Sequence, residues 1–229
     1  RFDIRLARAE AMRQRMQFEE AEVEYREAAR LAPDDPRPTI GLGLLYEAAG
    51  RKTEARKILS EVSGEGELYP ELLLALGRLS SGLAARNALE RANQARAKWP
   101  EALIALAQLD LEERRFGDAI KRFDAALKLD PYAALAHLGR GLALSATSRD
   151  AEAREALSRA LELAPTIARA HLELARIAAR HGEIEDALEA YRRAADLDRA
   201  NILPLLEAAA LCIENGRPTF ALAYLDRAR

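Results

Sequence analysis

Features that mark disulfide-rich, membrane-spanning and nucleic-acid-binding proteins are scarce in this sequence of 229 residues. A single cysteine, Cys212, excludes an internal disulfide framework and any zinc site built on cysteine ligands. The longest apolar run near the C-terminus begins at Ile202, but Pro204 and Glu207 interrupt it, and it is far too short to span a bilayer. The 35 basic and 37 acidic side chains leave a net charge of −2, which removes the long-range attraction to phosphate that favours nucleic-acid binding.

Alanine and leucine are abundant instead, and because both are strong helix formers the composition predicts an all-α chain. One alanine column recurs every 34 residues, with a single interval of 30, and it comprises Ala21, Ala55, Ala85, Ala119, Ala153, Ala187 and Ala221. A period in this range predicts stacked helix pairs, that is, an α-solenoid, because a lone pair cannot bury its apolar faces.

The period divides the chain into a single array of seven repeats. Their predicted bounds are residues 2–35, 36–69, 70–99, 100–133, 134–167, 168–201 and a truncated 202–229. The third repeat is shorter than the others, so we expect a tighter turn around Ser80, Ser81 and Gly82. Because the chain starts at Arg1 and stops inside the last repeat, we expect it to be a piece of a longer protein.

Two further columns alternate in side-chain size. Small residues recur in the first half of each repeat, at Ala9, Gly43, Gly77, Ala107, Gly141, Ala175 and Ala209. Large residues recur in the second half, at Tyr25, Leu59, Leu89, Phe123, Leu157, Tyr191 and Tyr224. We predict that the small side chains let the two helices of a pair approach closely, and that the large ones fill the remaining space.

This spacing of small residue, alanine, large residue, alanine and a terminal proline, such as Pro131 or Pro165, resembles the tetratricopeptide repeat over essentially the whole chain. The tryptophan usual in the first helix of that family is replaced, for example by Arg5 and His137. The resemblance implies a right-handed superhelix with a concave groove lined by the first helix of each pair. It also implies a non-catalytic scaffold that binds a partner peptide or protein segment in that groove.

In the family, the second, fifth, ninth, twelfth and thirteenth places of a repeat tend to face the groove. The fifth place is aliphatic throughout, at Leu6, Ile40, Leu74, Ile104, Leu138, Leu172 and Leu206. In the fifth repeat, Leu135, Leu138 and Leu142 share one helical face, and we take them as the anchor of an apolar floor. Two interpretations stay open: a floor that binds an apolar or amphipathic segment, or packing of each repeat on the next.

The sixth repeat carries Arg169, Arg176 and Arg180 at its second, ninth and thirteenth places. Since arginine binds carboxylates bidentately, this set suits an acidic or C-terminal flank on the partner, and the alternative is a solvated helix face. The clamp of chaperone-tail-binding members is absent, because Leu6 and Glu10 stand at its places. The candidate peptide-binding residues are therefore Leu74, Ile104, Leu135, Leu138, Leu142, Leu172, Arg169, Arg176 and Arg180.

Two other inward columns carry polar residues. Asp110 and Arg140 stand where neighbouring repeats have large apolar residues, and we predict a partly buried Asp110–Arg140 ion pair, because either charge alone would be costly there. Cys212 also falls in an inward column and is expected to be a small buried side chain.

Catalytic motifs are not recognisable. No Ser/His/Asp set, phosphate loop or paired-carboxylate cleft stands out, so we expect no enzyme activity and no cofactor. His137 and His171 occupy equivalent places in adjacent repeats, but no third ligand of matching spacing follows, and we interpret them as half-buried packing residues rather than a metal site.

Other functions remain as alternatives. The chain ends within its last helix pair, and an exposed apolar end formed by Leu205, Ala209, Leu222 and Leu225 would support self-assembly. The array could also be the substrate-recruiting arm of a larger enzyme. RNA binding is disfavoured because the groove places offer few aromatic side chains for stacking. A cytoplasmic location is slightly favoured over a periplasmic one.

Overall fold

The computed structural model describes residues 1–62 and 69–229, and over these ranges the chain is entirely α-helical and turn, without a strand. The end of the second predicted repeat, residues 63–68, lies outside the described residues. The helices are α1 Phe2–Gln14, α2 Phe18–Leu31, α3 Arg37–Ala48, α4 Lys52–Glu61, α5 Pro70–Leu79, α6 Gly82–Ala95, α7 Pro100–Glu112, α8 Phe116–Leu129, α9 Ala134–Ala146, α10 Asp150–Leu163, α11 Ala168–Arg180, α12 Ile184–Leu197, α13 Leu203–Glu214 and α14 Pro218–Arg227.

Consecutive helices pack as antiparallel pairs, as in α1 with α2 or α9 with α10, and neighbouring pairs are in contact where α2 meets α3 and where α8 meets α9. The predicted fold class, an all-α solenoid of antiparallel helix pairs, is confirmed. The chain divides into two compact parts, which we call the N-terminal part, Arg1–Leu109, and the C-terminal part, Asp110–Arg229. Each part is described by itself below.

The turn inside a helix pair has a fixed geometry. Six of these turns have three residues, and the middle residue has a φ between 58° and 76° in each: Met16, Gly50, Arg114, Ser148, Gly182 and Gly216. The amide of the third turn residue then donates to a carbonyl five residues earlier, as Arg115 N does to Asp110 O at 2.7 Å. This bond satisfies a carbonyl that the end of the helix leaves free. Only two residues, Ser80 and Ser81, join α5 to α6, so the tighter turn predicted for the third repeat is confirmed.

Small residues in the first helix of a pair make room for a large side chain from the second. A Cβ added to Gly43 would lie 2.3 Å from Leu59, and one added to Gly141 would lie 2.7 Å from Leu157. The predicted packing of small against large columns is therefore confirmed.

A second set of close contacts, which the sequence columns did not reveal, joins neighbouring pairs. Gly41 of α3 faces the ring of Tyr25 from α2, and Gly139 of α9 faces the ring of Phe123 from α8. Both rings are buried. Glycine at these two places therefore lets an aromatic ring from one pair lie directly against the backbone of the next.

The expected partner of Asp110 is wrong. The Asp110 carboxylate is fully buried, and it accepts hydrogen bonds from Arg115, whose Nη2 lies at 2.6 Å, and from Nη1 of Arg122. Arg140 instead donates from Nε to Asp124 Oδ1 at 2.7 Å. Both arginines that bind Asp110 lie within twelve residues of it, in the turn after α7 and on α8. The prediction that the Asp110 charge is buried and paired is therefore confirmed, but its cations come from the turn after α7 and from α8 instead of from α9.

The last helix pair, α13 and α14, buries part of the surface that was expected to be exposed. Leu205 and Ala209 are buried, together with Cys212, whereas Leu222 and Leu225 are exposed. The predicted burial of Cys212 is confirmed, and burial raises the pKa of its thiol. Leu205 and Ala209 are therefore not part of an exposed apolar end, and Ala209 packs in one core cluster with Tyr191 of α12.

Gly139→Ala is expected to destabilise the protein by about 1–3 kcal/mol, because the new Cβ would lie 2.1 Å from the ring of Phe123, which has no room to move. Gly117→Ala is the matched control, since its added Cβ meets nothing within 4 Å and it lies exposed in α8. We expect that control to be neutral or stabilising by about 0.5–1 kcal/mol. Urea unfolding followed by circular dichroism measures both, and equal midpoints for the two variants would refute the close contact.

Asp110→Asn is expected to cost about 1–3 kcal/mol, because the buried group loses the charge to which two guanidinium groups bind. Asp124→Asn makes the same change at a half-exposed carboxylate paired with Arg140, and we expect a loss of about 0–1 kcal/mol. Thermal or urea unfolding at neutral pH compares the pair. If Asp124→Asn lowers the free energy of unfolding more than Asp110→Asn does, burial does not strengthen the contribution of the Asp110 charge to stability.

Candidate functional site

The first helices of the N-terminal part form most of the lining of an open pocket of about 410 Å³. Residues at the second, fifth and ninth places of the first two repeats line it, and the second place of the third repeat completes the edge. The lining comprises Asp3, Leu6, Ala7, Glu10, Tyr25, Arg37, Ile40, Gly41, Leu44, Tyr69 and Glu71. The places that the resemblance assigned to a groove therefore share one cavity here. We call it the N-terminal pocket.

A buried tyrosine reaches the floor of the N-terminal pocket from the second helix of its pair. Tyr25 lies against Gly41, and its hydroxyl donates to Glu10 Oε2 at 2.7 Å. Arg13 also binds the Glu10 carboxylate. Burial raises the pKa of Glu10, but the hydrogen bonds from Arg13 and Tyr25 outweigh this, so its pKa lies below the usual range and the group is ionised at neutral pH. Burial and the Glu10 charge raise the pKa of Tyr25, which keeps its proton.

The rim of the N-terminal pocket carries the charges that are open to solvent. Arg37 binds Asp35 through Nε at 3.0 Å and through Nη2 at 2.7 Å, so its charge is compensated from outside the pocket. Asp3 is 84% exposed, and its nearest cation is Arg37 at 3.8 Å. Glu71 is half-exposed and lies 3.1 Å from Arg96. The two carboxylates of the rim therefore make only surface ion pairs, which are weak.

A second pocket, of about 310 Å³, lies between α11, α12 and α13 in the C-terminal part, and we call it the C-terminal pocket. Three of the predicted site residues, Arg169, Leu172 and Arg176, line it. The other lining residues are Ala168, Glu173, Ala194, Asp198, Asn201, Leu203 and Pro204.

The three predicted arginines differ in what they bind. Arg176 holds Glu207 through two hydrogen bonds of 2.9 and 2.6 Å and lies 3.3 Å from Glu173. Arg180 donates to Asp150 at 2.7 Å, and the hydrogen bond from Arg180 lowers the pKa of that carboxyl. Arg169 is exposed and has no ion-pair partner within the described residues. Of the three, Arg169 is the arginine whose charge is open to a ligand.

The predicted aliphatic residues are mostly buried between helices. Leu74, Leu138 and Leu172 are buried, and Ile104 and Leu142 are partly buried. Leu135 is the exception, because it is 56% exposed at the start of α9. Burial of Leu74, Leu138 and Leu172 supports the interpretation that the fifth place packs one helix pair on the next. At the same place, Leu6 and Ile40 line the N-terminal pocket and Leu172 lines the C-terminal pocket, so the apolar floor stays a prediction.

The two equivalent histidines have the same role in adjacent pairs. Nε2 of His137 lies 3.0 Å from the carbonyl oxygen of Pro131, and Nε2 of His171 lies 3.2 Å from that of Pro165. Each partly buried ring thus tethers the loop that precedes its helix. Within residues 1–62 and 69–229, no group of three or more His, Cys, Asp or Glu side chains is arranged to hold a metal ion.

Two tetratricopeptide repeat models match the chain, one over residues 104–166 and 151–202 and the other over residues 11–79, which together exceed half of its length. The chain belongs to the tetratricopeptide repeat family. The family resemblance predicted from the sequence is confirmed, and its repeats are those of protein–protein interaction scaffolds.

Solved structures share this tetratricopeptide repeat fold. A chain of the APC/C hetero-tetramer Cut9–Hcn1 superposes with a TM-score of 0.85 at 14% identity, covering 99% of this chain and 46% of its own length. The MamA protein superposes with a TM-score of 0.56 at 21% identity, covering 73% of this chain and 94% of its own. At these identities the likeness shows the fold alone, and this chain spans less than half of the first relative. No curated protein sequence matches it. None of the helices in the described ranges is long and apolar enough to cross a bilayer.

The N-terminal pocket of this tetratricopeptide repeat protein was not predicted from the sequence. The leucines and arginines at the groove places of the fifth and sixth repeats favoured a site there instead. One residue in the sequence could have indicated this pocket. Gly41, directly after Ile40, has no side chain and so leaves room for the ring of Tyr25 from the preceding pair. Tyr69 is the residue directly before α5 and carries no repeat signature, so only the structure places it in the pocket.

Arg176→Met is expected to lower the stability of the protein by about 1–2 kcal/mol, because Glu173 and Glu207 would lose their shared cation while partly buried. Arg169→Met makes the same chemical change at an arginine without an ion pair in the described structure, and we expect an effect within about 0.5 kcal/mol. Urea unfolding of both variants separates a structural arginine from one left open to a ligand. Equal losses would contradict the assignment.

Proposed function

We propose that this chain is a non-catalytic scaffold that binds a partner protein segment on the groove faces of its first helices. The N-terminal pocket carries the proposal, because seven of its lining residues come from groove places of three successive repeats. Its volume of about 410 Å³ lies within the range of about 300–1,000 Å³ typical of ligand pockets. A pocket of this size can bury a large side chain of an extended or helical segment.

The physical basis of binding is burial of apolar surface beside fixed polar groups. Leu6, Ala7 and Leu44 present apolar atoms to the N-terminal pocket, and Glu10 and Tyr25 are locked together at its floor. Apolar burial contributes roughly 25 cal/mol per Å² removed from water. The fixed floor lowers the entropic cost of binding, since few side chains need to be ordered when a segment docks.

The C-terminal pocket is the second candidate surface, and it retains part of the predicted site. Arg169 is exposed there beside Leu172, and exposed Leu135 and Leu203 stand at the same second place in the repeats on either side. This row suits a segment with apolar residues around one acidic group, as predicted from the sequence. Arg176 and Arg180 would act through the network that fixes the helices rather than by contact with the partner. Leu138 and Leu142 would support this face of the C-terminal part from below, and Leu74 and Ile104 would do the same for the groove face of the N-terminal part.

Self-association is a competing function, and a specific observation supports it. Phe220, Leu222 and Leu225 on α14 are exposed, and so is Ile213 on α13. These side chains, with Leu205 and Ala209 supporting them from within the pair, offer apolar area to a second copy. A role as the recruiting arm of a larger enzyme would use the same groove faces and remains a hypothesis.

A peptide-display selection tests the proposal. The chain is immobilised at a concentration at which light scattering gives the monomer mass, and a random twelve-residue library is the probe. Enriched peptides are measured against Ala7→Gln, which narrows the N-terminal pocket, and Arg169→Glu, which reverses the charge at the C-terminal pocket. Ala84→Gln and Arg193→Glu are the matched controls, because both residues are exposed on second helices and neither lines the N-terminal or the C-terminal pocket.

We expect at least a tenfold loss of affinity with one of the two pocket variants and a change below about twofold with the controls. Loss with Ala7→Gln assigns the partner to the N-terminal pocket, and loss with Arg169→Glu assigns it to the C-terminal pocket. If no peptide is enriched while the mass rises with concentration, and Leu222→Ser abolishes that rise, groove binding is wrong and self-association replaces it.

A further inference from the structure

The N-terminal pocket combines an apolar interior with an acidic rim. Three carboxylates, Asp3, Glu10 and Glu71, and a single guanidinium, Arg37, are among its lining groups. The interior between them is formed by aliphatic side chains and the backbone of Gly41. The lining groups therefore carry more negative than positive charge, with Glu10 at the floor and Asp3 and Glu71 at the rim.

The local ion pairs decide which of these charges are open to a partner. Arg13 binds Glu10, and Asp35 binds Arg37 through both nitrogens of one guanidinium edge, so each of these two lining charges is already compensated. Asp3 and Glu71 remain, one at the start of α1 and the other at the start of α5. Their cation contacts lie at 3.8 Å and 3.1 Å between solvent-exposed side chains.

A further carboxylate lies one turn beyond Leu44 on α3. Glu47 is partly buried, and its cation, Nη1 of Arg78, lies 3.6 Å away. Burial raises the pKa of Glu47 more than Arg78 lowers it. Arg78 therefore does not fully offset the burial of Glu47. A further cation near this part of α3 would stabilise the ionised form of its carboxylate.

We infer that the N-terminal pocket binds a protein segment in which a large apolar side chain is followed or preceded by lysine or arginine. This inference rests on the proposed function and specifies its partner. The apolar side chain enters between α1 and α3, and the neighbouring basic group pairs with Asp3 and Glu71 at the rim. An acidic flank is disfavoured here, because it would lie beside these two carboxylates at the rim.

The test uses the same twelve-residue display library on the complete chain and compares sequence preferences and affinities. We expect enriched peptides to place Leu, Ile, Met or Phe within two residues of Lys or Arg. Their affinity for the Asp3→Asn/Glu71→Gln double variant is expected to fall about 3- to 30-fold at low salt, as two exposed charge pairs are lost. The difference should shrink at about 0.5 M salt, since the ions screen exposed charges.

Glu19→Gln/Glu20→Gln is the matched control. It removes two exposed carboxylates from α2 without touching the pocket, and the affinity should change by less than about twofold. If peptides are enriched that lose binding with Ala7→Gln but carry neutral or acidic flanks, the charge inference is wrong while groove binding stands. If no peptide is enriched, or if the enriched ones are insensitive to Ala7→Gln, the pocket is not the site and this inference fails with it.

Discussion

The rest of this structure depends on the close approach of helices at small residues. Gly43 and Gly141 lie directly against leucines of their own pair, and Gly41 and Gly139 lie against aromatic rings of the preceding pair. A β-carbon at the last two places would overlap a buried aromatic ring, so the close spacing between pairs there requires the absence of a side chain.

The same constraint decides which side chains of the first helices stay exposed. Most of the aliphatic residues at the fifth place are buried. Side chains at the second place are at least partly exposed, and the proposed function uses them for recognition. Asp3, Arg37 and Glu71 in the N-terminal part, and Leu135, Arg169 and Leu203 in the C-terminal part, are residues of this kind.

Charged side chains fall into two groups with different consequences. Asp110 with its two arginines, and Arg176 with Glu173 and Glu207, are bound within the protein and hold helices to one another. Arg169, Asp3 and Glu71 remain open to solvent and contribute little to stability where they are. Their charge is available to a partner, because it is not needed to compensate a buried group.

The sequence by itself determined the family, the helix pairs and the packing columns, because a period of 34 residues and the alternation of small and large side chains are local properties that repeat. It also identified the buried Cys212 and the short third turn. It did not determine which carboxylate binds which arginine. Asp110 and Arg140 each stand in an otherwise apolar column, but Asp110 binds Arg115 and Arg122 instead of Arg140. Nor did it find the N-terminal pocket, whose lining comes from helices up to 68 residues apart in the chain, from Asp3 to Glu71. Only the tertiary structure brings such groups together, since the exposure of a side chain depends on what the neighbouring pair covers.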